Sequence, residues 1–157
     1  MRHDFISNSP EETFSLGALI GSRLTGGEIL LLNGELGAGK TLLTKGIVKG
    51  MDPETTTTVV SPSFTLVNLY NARLDIIHVD LYRLDSEEIG NLGLEDFMDT
   101  DHVIIVEWAQ RACGFFQGTT VDITIDHAGE NKREITISTQ LPWISDLTNI
   151  QWITGVS

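Results

Sequence analysis

Gly34, Gly39, Lys40 and Thr41 fall at the spacing G-x-x-x-x-G-K-[ST] within Gly34-Glu35-Leu36-Gly37-Ala38-Gly39-Lys40-Thr41, the pattern of a loop that wraps phosphates. Glycines at 34, 37 and 39 let consecutive backbone N–H groups turn inward on an anion, and a helix opening near Lys40 aims the positive end of its dipole at the same place. Lys40 is expected to reach the β- and γ-phosphates, and the Thr41 hydroxyl to ligate Mg²⁺. The chemistry implied is that of ATP and magnesium.

Such a loop also needs a carboxylate near the metal, at the end of a buried strand. Asp80 closes Ile76-Ile77-His78-Val79, and Glu107 closes Val103-Ile104-Ile105-Val106. Either can serve. Asp126-His127-Ala128-Gly129 and Asn131-Lys132-Arg133-Glu134 look like GTPase motifs, but they lie almost adjacent on one hairpin turn, and Glu134 stands where an aspartate is needed to grip guanine. Nothing here argues for GTP. Strand alternation puts Arg133 on the side of Ile135 and Ile137, where an arginine either seeks an anion or snorkels out at a strand entrance. His78 lies on the Asp80 face of its strand. With His3, His102 and His127 it is read as structural or exposed, since the four spacings form no metal set. Cys113 is read as buried packing.

The elements that must hold these residues are legible in outline. Ser9-Pro10-Glu11-Glu12 carries a capping serine, a proline at the first helical position and a glutamate three residues after the cap, so a helix is predicted to about Leu24, ended by Gly26-Gly27. Glu28 to Asn33 is a continuous apolar run that suits a strand buried on both faces and feeds the glycine loop. A second helix is predicted from Lys40 to about Lys49, then an exposed loop through the threonines at 55 to 58. Residues 64–70 and 74–81 read as an antiparallel hairpin about Asn71-Ala72-Arg73, making the sheet mixed. A helix is expected over Ser86 to Met98, a strand over Val103 to Val106, and a half-exposed hairpin from Val121, Ile123, Ile125 to Ile135, Ile137. Trp143, Leu147 and Ile150 recur at helical spacing in the tail.

The 157 residues suit one domain. Ten basic and 22 acidic residues leave a net charge of −12, and no window is rich in Lys or Arg, so tight independent binding of nucleic acid is not expected. The acidity serves solubility or a basic protein partner. No apolar run approaches the ~18 residues of a membrane span, and the N-terminus reads as neither a signal nor a transit peptide. A cytoplasmic protein without a membrane partner is expected, consistent with a single cysteine.

The order and spacing of Glu11-Glu12-Thr13, Gly34 to Thr41, Ser61-Pro62-Ser63-Phe64-Thr65-Leu66, His78-Val79-Asp80-Leu81-Tyr82-Arg83-Leu84 and Glu107-Trp108 resemble the TsaE (YjeE) family of bacterial ATPases over about residues 5 to 140. Ser63 departs from the family's more frequent threonine but keeps a hydroxyl. The resemblance implies work with TsaD and TsaB, and with the carbamoyl-adenylate-forming TsaC, to make N6-threonylcarbamoyladenosine at adenosine 37 of tRNAs reading codons that start with A. It further implies an ATPase activity that depends on the TsaB–TsaD complex, with tRNA met only through that complex. By resemblance, Thr13 lies against the nucleotide, Gly37, Ala38, Gly39, Lys40 and Thr41 wrap the phosphates, and Thr41 with Glu107 holds Mg²⁺. Asp80 then stands near the γ-phosphate, with Lys40 in the catalytic set, Arg133 near the nucleotide, and Ser61 to Thr65 as a nucleotide-sensing segment.

The expectation is an α/β, P-loop NTPase-like three-layer domain with a mixed central sheet flanked by helices, working as a Mg-ATPase in tRNA threonylcarbamoylation. A small P-loop phosphotransferase is one rival, although the chain lacks the clustered arginines of a kinase lid. A non-hydrolysing nucleotide-dependent scaffold is the other.

Overall fold

The computed structural model describes residues 1–35, 37–62, 66–112 and 114–148. Seven strands form one sheet in the order β1-β7-β6-β2-β5-β4-β3. β2 (Ile29–Gly34) lies at its centre, parallel to both β5 (His102–Glu107) and β6 (Thr120–His127). β4 (Asp75–Asp80) runs parallel to β5, and β3 (Val67–Asn71) pairs antiparallel with β4. On the other side β7 (Arg133–Thr139) forms an antiparallel hairpin with β6 and then pairs antiparallel with β1 (Arg2–Ser7) at the edge. The mixed sheet anticipated from the sequence is therefore present.

Alternation along the central strands divides the core into two layers. Leu30, Leu32, Ile76, Val103 and Ile105 face α1 (Pro10–Arg23), α2 (Lys40–Met51) and the short α4 (Ile144–Leu147), while Ile29, Ile77, Val79, Ile104 and Val106 face α3 (Ser86–Gly90) and two 3₁₀ turns, Leu94–Phe97 and Ala109–Ala112. Because strand side chains alternate, His78 and Asp80 share the face of Ile76, and Glu107 shares the face of Ile105. All three therefore belong to the layer that contains α2.

α1 begins where its caps place it: the Ser9 side chain accepts from the Glu12 N–H at 3.1 Å, and Pro10 opens the helix. α1 and α2 approach backbone to backbone, for a Cβ added at Gly46 would fall on the carbonyl oxygen of Phe14. This contact fixes the N-terminal half of α1 against the middle of α2.

Two expectations need correction. The helix anticipated over 86–98 is broken: α3 has five residues, Asn91 is its C-cap, and Gly93 at φ 74° precedes the separate 3₁₀ turn. Two glycines within four residues lower the helix propensity below what the apolar spacing can offset. β1 was not anticipated, because only His3, Phe5 and Ser7 point inward and Phe5 alone among them is strongly apolar. Residues 64 and 65 of the predicted hairpin, Cys113 and Ile150 lie outside the described residues. No helix among the described residues is long and apolar enough to cross a membrane.

Candidate functional site

α2 starts on Gly39, whose φ of 117° is left-handed and which has no side chain to cap the helix. A residue with a Cβ would be strained there. The N–H groups of the first turn are thus left for an external acceptor, the arrangement that favours anions at helix N-termini. α1, by contrast, satisfies its own start through Ser9.

Above this turn lies a cavity of about 670 Å³, lined by Gly37, Gly39, Lys40, Thr41, Asp80 and Glu107 among others. Asp80 and Glu107 are register partners at the C-terminal ends of parallel strands β4 and β5, and Glu107 is also the partner of Leu32 on β2. Both carboxylates are buried, at 6% and 3% exposure. Lys40 extends between them and the loop: its Nζ donates to the Gly34 carbonyl at 2.6 Å and stands 4.5 Å from the centroid of the Trp108 indole. Burial lowers the Lys40 pKa below the ordinary lysine value, and the charges of Glu107 and Asp80 oppose that shift. An ammonium held among two carboxylates in a partly dry cleft is well placed to meet a polyanion.

Thr13 and Arg133 lie beside the loop. Thr13 is buried, its hydroxyl shares a 2.7 Å hydrogen bond with Ser7, and its methyl lies 3.8 Å from where a Gly39 Cβ would stand. Arg133 Nε donates to the Ala38 carbonyl at 2.9 Å, and its Nη1 donates to Lys132 O at 2.9 Å, with longer contacts to the Gly129 and Glu130 carbonyls. The guanidinium therefore ties the β6–β7 turn to the back of the phosphate loop. Ala38 itself is fully buried. Ser61 lines the cavity, whereas Ser63 to Thr65 of the expected sensing segment, like Leu36 of the loop, lie outside the described residues.

Sequence reasoning assigned no role to three residues at the site. Trp108 follows Glu107 with a left-handed φ of 60°, a costly conformation for a large side chain, and packs on Tyr82 at 4.7 Å between centroids. His78, read as structural or exposed, is fully buried with Nε2 2.7 Å from Glu107 Oε2. Its position on the Asp80 face was the available signal; the bond to Glu107 required the β4–β5 register.

Magnesium keeps several waters and is bound through one or two carboxylates together with phosphate oxygens. A hydroxyl at Thr41, carboxylates at Asp80 and Glu107, and a phosphate cradle beside them match that donor chemistry.

The family profile described as threonylcarbamoyl adenosine biosynthesis protein TsaE matches residues 7–135. The chain belongs to the TsaE family. Members similar to it include the tRNA threonylcarbamoyladenosine biosynthesis protein TsaE of Nostoc sp., 38% identical over 142 residues that cover 87% of this chain and 86% of that protein. The protein of the same name from Bacillus subtilis is 37% identical over 131 residues, covering 83% and 81%. The crystal structure of Bacillus subtilis YdiB superposes with a TM-score of 0.77 at 32% identity, covering 94% of this chain and 92% of that one. The P-loop NTPase-like α/β architecture anticipated from the sequence is thus shared with a solved structure.

Proposed function

We propose that the chain is the Mg-ATP-binding, ATP-hydrolysing component of tRNA threonylcarbamoyladenosine biosynthesis, acting in the cytoplasm with TsaB and TsaD. The observation that carries this reading is the convergence of Lys40, Thr41, Asp80 and Glu107 on the uncapped start of α2, in a chain of the TsaE family.

Bound ATP would supply a phosphoanhydride bond, and Mg²⁺ would neutralise charge on the phosphates. The chain's own residues divide the remaining work. The N–H groups of the first turn of α2 bind phosphate oxygens. Lys40, which lines the cavity and donates to the Gly34 carbonyl, would hold phosphate oxygens with its ammonium. Thr41 Oγ1 and Glu107 hold the metal, and Asp80 orients the attacking water, accepting its hydrogen bond. Arg133 fixes the loop from behind through the Ala38 carbonyl, and Thr13 packs against Gly39.

No arginine finger is evident in the sequence, and such an arginine acting in trans is worth ~10³–10⁵ in kcat. Slow turnover by the isolated chain and acceleration by TsaB–TsaD follow. With a net charge of −12 the protein engages tRNA through its partners. Calorimetric titration with ATP, with and without magnesium, tests the site. The expected result is magnesium-dependent binding that Thr41→Ala and Lys40→Ala abolish; near-wild-type affinity in either variant would refute it.

A further inference from the structure

His78 is the most enclosed polar residue of β4, and the chemistry above gives it no task. An ionised carboxylate can only accept, so His78 Nε2 donates to Glu107 Oε2 across 2.7 Å and Nδ1 is left to face the Tyr70 hydroxyl at 3.3 Å. The single Tyr70 hydroxyl proton goes either to His78 Nδ1 or to the Val60 carbonyl at 3.1 Å, while its oxygen accepts from the Val60 N–H at 3.4 Å. Asn68 Nδ2 donates to the same carbonyl at 3.2 Å. A continuous chain of hydrogen bonds thus runs from Glu107 through His78 and Tyr70 to Val60, the residue before Ser61 at the cavity.

A second tie meets the other end of this segment. The N–H of Asp80 donates to the Leu66 carbonyl at 2.9 Å, and the Leu66 N–H donates to the Pro62 carbonyl at 2.8 Å, with Leu66 held at a left-handed φ of 72°. Both ties lead to β4: Val60 is joined through Tyr70 of β3 to His78, and Leu66 is joined directly to Asp80, the last residue of that strand. Val60 itself remains 53% exposed between the buried Val59 and the cavity-lining Ser61.

We propose that His78 and Tyr70 are positioning residues that fix Glu107 for its metal and pass the state of that carboxylate to residues 59–62, making the rim of the cavity a sensor of metal loading. This rests on the Mg-ATP reading of the site. A histidine that donates to a ligating carboxylate orients it, and loss of such a partner typically costs 10–100-fold in metal affinity. Tyr70 touches neither Glu107 nor the phosphate loop, so its hydroxyl acts directly on the segment and reaches the carboxylate only through His78.

The test uses the full chain and a non-hydrolysable ATP analogue. Magnesium is titrated calorimetrically, and hydrogen–deuterium exchange of peptides covering 59–62 is followed with the analogue plus magnesium and with the analogue plus EDTA. In the wild type, magnesium should raise the half-saturating affinity for the analogue and slow exchange at 59–62. His78→Ala should raise the magnesium needed by about 10–100-fold and lose the slowed exchange, with His78→Gln, which keeps a donor near Nε2, recovering the metal requirement without the exchange effect. Tyr70→Phe should keep the magnesium requirement within about threefold of wild type and still lose the slowed exchange; it keeps the buried ring and decides the matter should the His78 variants fail to fold. Slowed exchange at 59–62 in Tyr70→Phe equal to that of the wild type would overturn the coupling while leaving the nucleotide site standing. A wild-type chain that binds no analogue would overturn the nucleotide reading, and the coupling with it.

Discussion

Replacing Lys40 by methionine removes the charge while keeping the length of the stem, so it isolates what the ammonium does. Nζ donates to Gly34 O and sits over Trp108, and burial of the charge works against it, lowering the Lys40 pKa. Loss of one hydrogen bond and relief of one buried charge oppose each other, so the unliganded fold should change in stability by no more than about 1 kcal/mol. Binding is different. A charge-assisted hydrogen bond to a phosphate contributes about 1.5–3 kcal/mol net, and at 1.4 kcal/mol per tenfold the dissociation constant for Mg-ATP should rise about 10- to 150-fold. Urea melts of the free variant and calorimetric titration with a non-hydrolysable analogue measure the two quantities separately. An affinity within threefold of wild type, in a variant whose melt is unchanged, would refute the assignment of Lys40 to phosphate.

Further outcomes follow from the same geometry. Because burial holds the Lys40 pKa below the ordinary lysine value and a bound phosphate favours the charged form, affinity should fall as pH rises through the alkaline range below the ordinary value, with a proton taken up on binding; titrations in buffers of different ionisation enthalpy detect the proton, and Lys40→Met should abolish it. Glu107→Ala should damage magnesium dependence, whereas Asp80→Ala should keep measurable nucleotide affinity but stop turnover, and normal hydrolysis by both in the full assembly would refute the two-carboxylate site. Arg133→Ala should weaken nucleotide binding about fivefold or more by releasing the Ala38 carbonyl, with the magnesium requirement unchanged in the same titrations. Gly46→Ala gains about 1 kcal/mol of helix propensity but drives a methyl onto the Phe14 carbonyl, an overpacking cost of about 1–3 kcal/mol, so its thermal midpoint should fall by a few degrees.

The parts of the fold that were legible in the sequence are those whose signals are local. Ser9 and Pro10 marked the start of α1, the glycine pattern marked the loop between β2 and α2, and the continuous apolar runs marked β2 and β5. The helix over 86–98 failed because apolar spacing outweighed two glycines, when Gly93 in fact adopts a left-handed turn that ends one element before the next begins. β1 was missed because an edge strand with one buried phenylalanine owes its existence to β7, its partner more than 120 residues away. At the site, each of Lys40, Thr41, Asp80 and Glu107 could be named from position relative to its own element. The bonds joining Glu107 to His78 and Tyr70 depend on the registers of β3, β4 and β5, and Arg133's grip on Ala38 depends on where a distant hairpin turn lands. Neither leaves a mark in a single sequence.

Steady-state ATP hydrolysis tests the central claim most directly, measured for the chain alone, with TsaB–TsaD, and with that complex plus tRNA. The proposed Mg-ATP site, with no arginine finger evident in the sequence, predicts slow turnover alone and a rise of severalfold or more with the complex, lost in Lys40→Met. Rapid hydrolysis by the isolated chain that the complex leaves unchanged would contradict a partner-dependent ATPase and favour a self-sufficient phosphotransferase.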